Sequence, residues 1–293
     1  MRHVQAQSKI LAASAAAYCI ANVGWWLQPS LIHEVATRYG VMESEAGLVA
    51  SAEMTAIALG SVLFAKLMAR LSLFYIALTG VAIALAGTTL SITTQDYNVL
   101  IISRAITGLG GGGMLAVSSA ALASFGDPDR AYGKINIVAI LFGSALVYSL
   151  SITAKLFRID YNVFPTIFFG IVLLALFVPF LREFSHHGES QVQAHPPPAH
   201  GVFSWELQSL VIAVFLVAVN TGSMWSFYYL LGDQAGLTLE QIHGAVATAA
   251  FVSVFGAILA TVVGTRYGRF LPLTLGIFVI TLTITLLSHW HHP

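Results

Sequence analysis

Nine stretches of this 293-residue chain are apolar for about 19 to 26 consecutive residues, the length an α-helix needs to cross the hydrocarbon core of a bilayer. They cover residues 10–28, 46–64, 73–92, 98–123, 135–154, 163–181, 207–231, 242–263 and 270–288. In lipid every backbone N–H and C=O must be satisfied by the chain itself, which an open sheet edge cannot do. Segments of this length therefore predict helices. Composition agrees: charged residues are 9% of the chain and mean hydropathy is +0.81, against roughly 25% charged in an average soluble domain. The expectation is an all-α polytopic membrane protein whose first partner is the lipid bilayer.

Several function classes are disfavoured at once. The formal net charge is zero, so no nucleic-acid partner is expected. The one cysteine, Cys19, lies inside an apolar segment and reads as a small core hydrophobe rather than a disulfide or thiolate-metal residue. No nucleophile–base pair or ligand cluster falls at membrane depth, so no catalytic residue, metal or cofactor is expected. The first apolar segment is too long for a cleavable signal peptide and is not followed by a soluble domain.

Lys and Arg set the orientation. With the N-terminus inside, the cytoplasmic side collects nine basic residues, among them Arg2, Lys66, Arg70, Arg182, Arg266 and Arg269, and the opposite side three, Arg38, Lys155 and Arg158. The N-terminus is therefore expected in the cytoplasm, with the protein in the cell (inner) membrane. Residues 182–204, REFSHHGESQVQAHPPPAHGVFS, are polar and proline-rich and read as a cytoplasmic linker. His186, His187, His195 and His200 there raise a metal tract, but a solvated linker explains them without fixed ligand geometry; the terminal His289, His291 and His292 read the same way. The linker divides the chain into 1–181, a six-helix bundle, and 205–293, three helices. These parts echo one another: Gly40-Val41-Met42-Glu43 aligns with Gly236-Leu237-Thr238-Leu239 and Arg70 with Arg266 at a shift of 196, and Asn22-Val23-Gly24 with Asn220-Thr221-Gly222 at a shift of 198. Repeats of a multi-helix unit are an architectural feature of transporters.

Within the fourth segment, Ser103 to Ser124 reads SRAITGLGGGGMLAVSSAALAS. A phosphate-cradling loop would need a βαβ context, which is absent. Arg104, Gly108, Gly111 or Gly112, Leu115 and Ser119 share one helical face. Either this is ordinary small-residue packing, or it is a closely packed, moving helix with one buried cation.

On these residues the chain resembles the major facilitator superfamily of secondary transporters. Thr265-Arg266-Tyr267-Gly268-Arg269 resembles the D-R-x-G-R end of the family's basic loop motif, with Thr for Asp, and Arg70 is what remains of the first copy. Arg104 followed by Gly108 and Gly112 resembles its fourth-helix R-x-x-x-G, and Asp127-Pro128-Asp129-Arg130 its loop before helix five. The helix-five motif of drug–proton antiporters is missing: after Gly143 the chain has Val147-Tyr148. The family has twelve helices, so three are expected to be absent here. The resemblance implies alternating access by two bundles to a midplane site for a small organic solute, with gating by the basic loops, Arg70, Arg266 and Arg269; positive-inside topology alone also explains those arginines. The alternative is a truncated, non-transporting remnant or partner-binding protein of the same fold.

Substrate-binding candidates follow from the residues at membrane depth. Tyr18, Asn22, Trp25 and Trp26 share a face of the first helix, Asn220 and Tyr228 (with Ser223 and Trp225 nearby) lie on the seventh, and Tyr148 on the fifth. Interface anchoring is the competing explanation for the aromatics, and an interhelical hydrogen bond for the asparagines. Proton coupling is expected through Glu53. Glu53 and Arg104 lie roughly 14 and 9 Å from the outer ends of their spans by helical rise, so they either pair or face water separately.

Overall fold

The computed structural model describes residues 2–157, 162–186, 225–263 and 270–290, together with 205, 208, 212, 215, 216, 218, 219 and 222. Among these residues there are nine α-helices and no strand: α1 (Arg2–Tyr39), α2 (Glu43–Leu67), α3 (Leu73–Thr93), α4 (Tyr97–Ala123), α5 (Pro128–Phe157), α6 (Val163–Ala175), α7 (Tyr228–Gln234), α8 (Leu239–Val263) and α9 (Phe270–Trp290). Stretches in α1–α5 and α8 are long and apolar enough to cross a membrane, while α6 and residues 274–283 of α9 are shorter apolar helices. The chain is an all-α, multi-pass membrane protein.

Several boundaries differ from the sequence reading, and prolines explain two of them. The first helix does not stop at Gln28 but runs through Pro29 to Tyr39. Pro29 has no N–H to offer the Trp25 carbonyl one turn back, and the Trp225 indole donates to that carbonyl instead, at 2.7 Å. The sixth helix ends early, at Ala175, because the Pro179 ring would strike the carbonyl four residues before it, which is that of Ala175. The chain continues as a 3-10 helix, Val178–His186, past the expected 181/182 boundary. In the seventh segment the described residues are helical up to a turn at Phe227, after which α7 begins.

The internal repeat corresponds to a repeated turn. Gly40 and Gly236 both adopt positive φ, 65° and 74°, the left-handed conformation that closes helix C-termini. Two residues after each glycine, the Met42 N–H donates to Glu45 Oε2 and the Thr238 N–H to Gln241 Oε1, at 2.9 and 2.8 Å. The same glycine cap and N-terminal box therefore lead into α2 and α8.

α4 is wedged between α2 and α3, and glycine makes the fit possible. A Cβ at Gly108 would collide with the Glu53 carbonyl, one at Gly112 with the Ile57 carbonyl, and one at Gly110 would lie 2.5 Å from the Ala84 nitrogen. Packing is the role these glycines play. α1 lies against α2, α4, α5 and α6, and α5 packs on α8. Asp127 caps α5, accepting the Arg130 N–H at 3.1 Å and pairing with the Arg130 side chain at 3.2 Å; with Pro128 at the first helical position, this accounts for the Asp-Pro-Asp-Arg sequence.

Candidate functional site

Two sites emerge, one inside the α1–α6 group and one where α1 and α5 meet the helices that follow. The first is the Glu53–Arg104 pair. Arg104 Nη2 lies 2.5 Å from Glu53 Oε1, and Nε donates to Oε2 at 3.2 Å, so the fork meets the carboxylate with two contacts. Arg104 is fully buried and Glu53 is 4% exposed. The guanidinium also sits 5.7 Å from the Phe164 ring of α6, a cation–π approach. Gly24 of α1 closes the other side, since a Cβ there would collide with the Glu53 carboxylate. Arg104 Nη1 is buried without a hydrogen-bond partner among the described residues. Beside the carboxylate is a cavity of about 10 Å³, lined in part by Ile20, Gly24, Glu53, Thr107 and Gly111, room for roughly one water molecule.

The second site is built on the stretch of α1 around Pro29. Trp25 offers its carbonyl to Trp225 and faces Gly222. Trp26 stands edge-on to Trp225 with centroids 6.2 Å apart, and Trp225 edge-on to Tyr228 at 5.6 Å. Gly143 of α5 makes room for Trp26, because a Cβ there would fall on the indole. Gln28 Nε2 donates to Ser226 Oγ at 2.9 Å, and Ser30 Oγ and the Tyr229 hydroxyl are hydrogen-bonded at 3.0 Å. Beyond them, Ser151 Oγ meets His243 Nδ1 at 2.8 Å and Lys155 pairs with Glu240 at 2.7 Å. The hydrogen bonds, ring contacts and ion pair from α1 and α5 to the later helices fall on the second half of α1 and the last two turns of α5. Two buried polar atoms in this junction, Trp26 Nε1 and Gln28 Oε1, have no hydrogen-bond partner among the described residues.

The structure thus gathers Trp25, Trp26 and Tyr228 around Trp225. Tyr18 and Asn22 lie nearer the N-terminus of α1; the Tyr18 hydroxyl donates to Asn136 of α5 at 3.3 Å, and Asn22 Nδ2 to its own helix at the Tyr18 carbonyl, 2.8 Å. Tyr148 is apart from the cluster, 59% exposed. Arg70 is exposed in the turn after α2. Asn220, Arg266 and Arg269, with Ser223, lie outside the described residues. Because α1 continues to Tyr39, Trp26 is about 20 Å of helical rise from its end, deeper than interface anchoring requires.

Sequence reasoning missed Ser30, His33, Glu34, Tyr229 and His243. The first three lie beyond Gln28, where the sequence reading ends the first segment, and Glu34 joins Glu53 as a buried carboxylate within an apolar helix. Glu34, 6% exposed, accepts the Val163 N–H at 2.8 Å and so caps the N-terminus of α6. The signal available was the spacing of Trp26, Ser30, His33 and Glu34, one face of a helix carried past the proline.

The chain matches the Major Facilitator Superfamily over residues 14–293. No curated protein matches it.

Proposed function

The chain belongs to the Major Facilitator Superfamily and is a membrane transporter, and from that premise we propose that it moves a small organic solute by alternating access, powered by a coupled proton. The proposed units are residues 1–181 and 205–293, joined by a cytoplasmic linker at 182–204, with the whole in the cell membrane and its N-terminus inside. The observation that carries the reading is the placement of the cross-contacts. Among the described residues, the polar and aromatic bonds from α1 and α5 to the chain after residue 205 cluster at the end remote from the N-terminus. Bonds confined to one end are what a rocking pair of units needs in order to close there and open at the other.

In this reading the substrate is held on the inner side of that closure. Trp25, Trp26 and Tyr228, with Asn220 from the seventh segment, supply stacking faces and hydrogen-bonding groups, and the Trp26 Nε1–H, buried without a hydrogen-bond partner among the described residues, can donate to a polar group of a solute. Tyr18 and Asn22 extend the same face along α1, Tyr148 adds a phenol from α5, and Arg70, Arg266 and Arg269 gate the cytoplasmic side. Glu53, paired with Arg104 in this structure, is the group through which the proton couples.

The test is to lock the closure. In a Cys19→Ala background, the pair Gln28→Cys and Ser226→Cys replaces a 2.9 Å hydrogen bond with a disulfide. In proteoliposomes supplied with a panel of labelled sugars, amines and organic acids, oxidation should reduce uptake of the transported compound to background, and reduction should restore it. Undiminished uptake by the cross-linked protein would refute alternating access at this junction. A protonophore that leaves uptake unchanged would refute the proton coupling alone.

A further inference from the structure

We infer that Trp225 is a positioning residue for the transport cycle: its indole N–H stands in for the N–H that Pro29 lacks, so the Trp25 carbonyl has a protein donor only while the end remote from the N-terminus is closed. The inference rests on the alternating-access reading above. Pro29 lies inside α1 and leaves the Trp25 carbonyl without the donor that a helix supplies one turn on. The Trp225 indole provides one at 2.7 Å. An indole has a single N–H and no acceptor, so this bond uses the whole polar capacity of the side chain. The ring is held in place for it. Trp26 and Tyr228 meet it edge-on, with centroids 6.2 and 5.6 Å away, and Gly143 of α5 leaves the space in which Trp26 stands. Donor and acceptor are 200 residues apart, one in each of the proposed units.

The part of α1 beyond Pro29 is fastened to its own unit and does not follow Trp225. Glu34 accepts the Val163 N–H of α6 at 2.8 Å, Arg38 donates to the carbonyls of Ile92 and Thr94 at 3.2 and 2.9 Å, and the Tyr39 hydroxyl donates to the Thr94 carbonyl at 3.0 Å. These ties lead to α3 and α6. When the seventh segment moves away with Trp225, the Trp25 carbonyl therefore stays behind and passes to water. The neighbouring bonds from Gln28 to Ser226 and between Ser30 and Tyr229 join side chains, which can turn to other partners, whereas a main-chain carbonyl in a helix cannot turn. Pro29 thus weights the balance towards the closed form, and it does so through Trp225.

The signature is an interaction between the two residues rather than the effect of either. Trp225→Phe keeps a ring between Trp26 and Tyr228 and removes the N–H. With Pro29 in place it should raise the ratio of open to closed form about two- to tenfold, the range that one net hydrogen bond covers. Pro29→Ala gives the carbonyl a donor within its own helix, so in that background the shift caused by Trp225→Phe should fall to about half or less on a logarithmic scale. Any change in ring packing is common to both backgrounds and cancels from the comparison.

The experiment measures the distance between spin labels at Met42→Cys and Leu237→Cys, exposed positions before α2 and α8, in the full Cys19→Ala chain in lipid nanodiscs. Two distances are expected, and the longer should gain on Trp225→Phe more with Pro29 than with Pro29→Ala. Pro29→Ser supplies the same N–H should Pro29→Ala not fold. If only one distance is populated, the same four variants are compared with Gln28→Ala and Ser30→Ala added, which weaken the closure. Where two distances are resolved, equal shifts in the two backgrounds, or none in either, overturn the inference. A single distance that survives Gln28→Ala, Ser30→Ala and Trp225→Phe together instead sinks the alternating-access reading.

Discussion

Arg104 shows how few options a buried cation leaves. A charge near the middle of an apolar helix costs roughly 2.5–3.5 kcal/mol on insertion scales, and Arg104 is fully buried. It is accommodated by Glu53, whose carboxylate fits only because residue 24 is glycine. Removing one partner of such a pair costs about 3–5 kcal/mol, mostly because the other is left uncompensated, whereas replacing both with apolar groups is often near neutral. The loss should therefore depend on whether the charges are removed singly or together. Glu53→Gln and Arg104→Met should each lower the melting temperature and folded yield. The double change should cost less than Glu53→Gln alone. Thermal unfolding followed by size-exclusion in detergent reads all three. If the double variant loses the sum of the single losses, the two charges are not energetically coupled.

At the scale of the helix, the glycines of α4 divide by what each one faces. Gly108 and Gly112 bring the α4 backbone against α2, where a methyl group would overlap carbonyl oxygens that cannot move independently of their helix. Gly111, between them, has its nearest neighbour at 3.4 Å, a side-chain carbon of Ile57. Alanine at Gly108 or Gly112 should therefore cost about 1–3 kcal/mol through forced separation of the helices, while Gly111→Ala should be nearly neutral. Comparable melting temperatures for all three variants would show that α2 and α4 are not held at glycine distance. Much of this level was legible in the sequence: apolar length gave the helices, four-residue spacing put Arg104, Gly108 and Gly112 on one face, and the Gly40/Gly236 echo marked two turns that share a cap. Proline was the weak point. With the first segment ended at Gln28, the turns beyond Pro29 that carry Ser30, His33 and Glu34 fell outside it, because the compensating donor, Trp225, is 200 residues away and no local pattern connects the two. The junction contacts have the same long separation and so leave no trace in periodicity.

At the scale of the whole molecule, the helix ends determine which loops share a side, and charge determines which side that is. α1 and α2 are joined by the turn at Gly40, α3 and α4 by the turn at Asp96, and α7 and α8 by the turn at Gly236. If every long helix crosses the bilayer once, these three turns lie on the side away from the N-terminus. If α6 and the seventh segment cross as well, the loops after α2 and α4 and the linker are expected on the N-terminal side, where Lys66, Arg70, Arg130, Lys134 and Arg182 would gather. An excess of Lys and Arg in short loops marks the cytoplasmic face, so Asp96 and Asp233 should be external and His195 internal. Single cysteines at these positions in the Cys19→Ala background, treated on intact cells with a membrane-impermeant maleimide, decide between the two orientations. Asp96→Cys and Asp233→Cys should label at once and His195→Cys only after permeabilisation. The opposite pattern would invert the protein and put the junction of α1 and α5 with α7 and α8 on the cytoplasmic side. Labelling of Asp96→Cys and His195→Cys from the same side would be more damaging, because it would require an odd number of crossings to be lost between α4 and the linker.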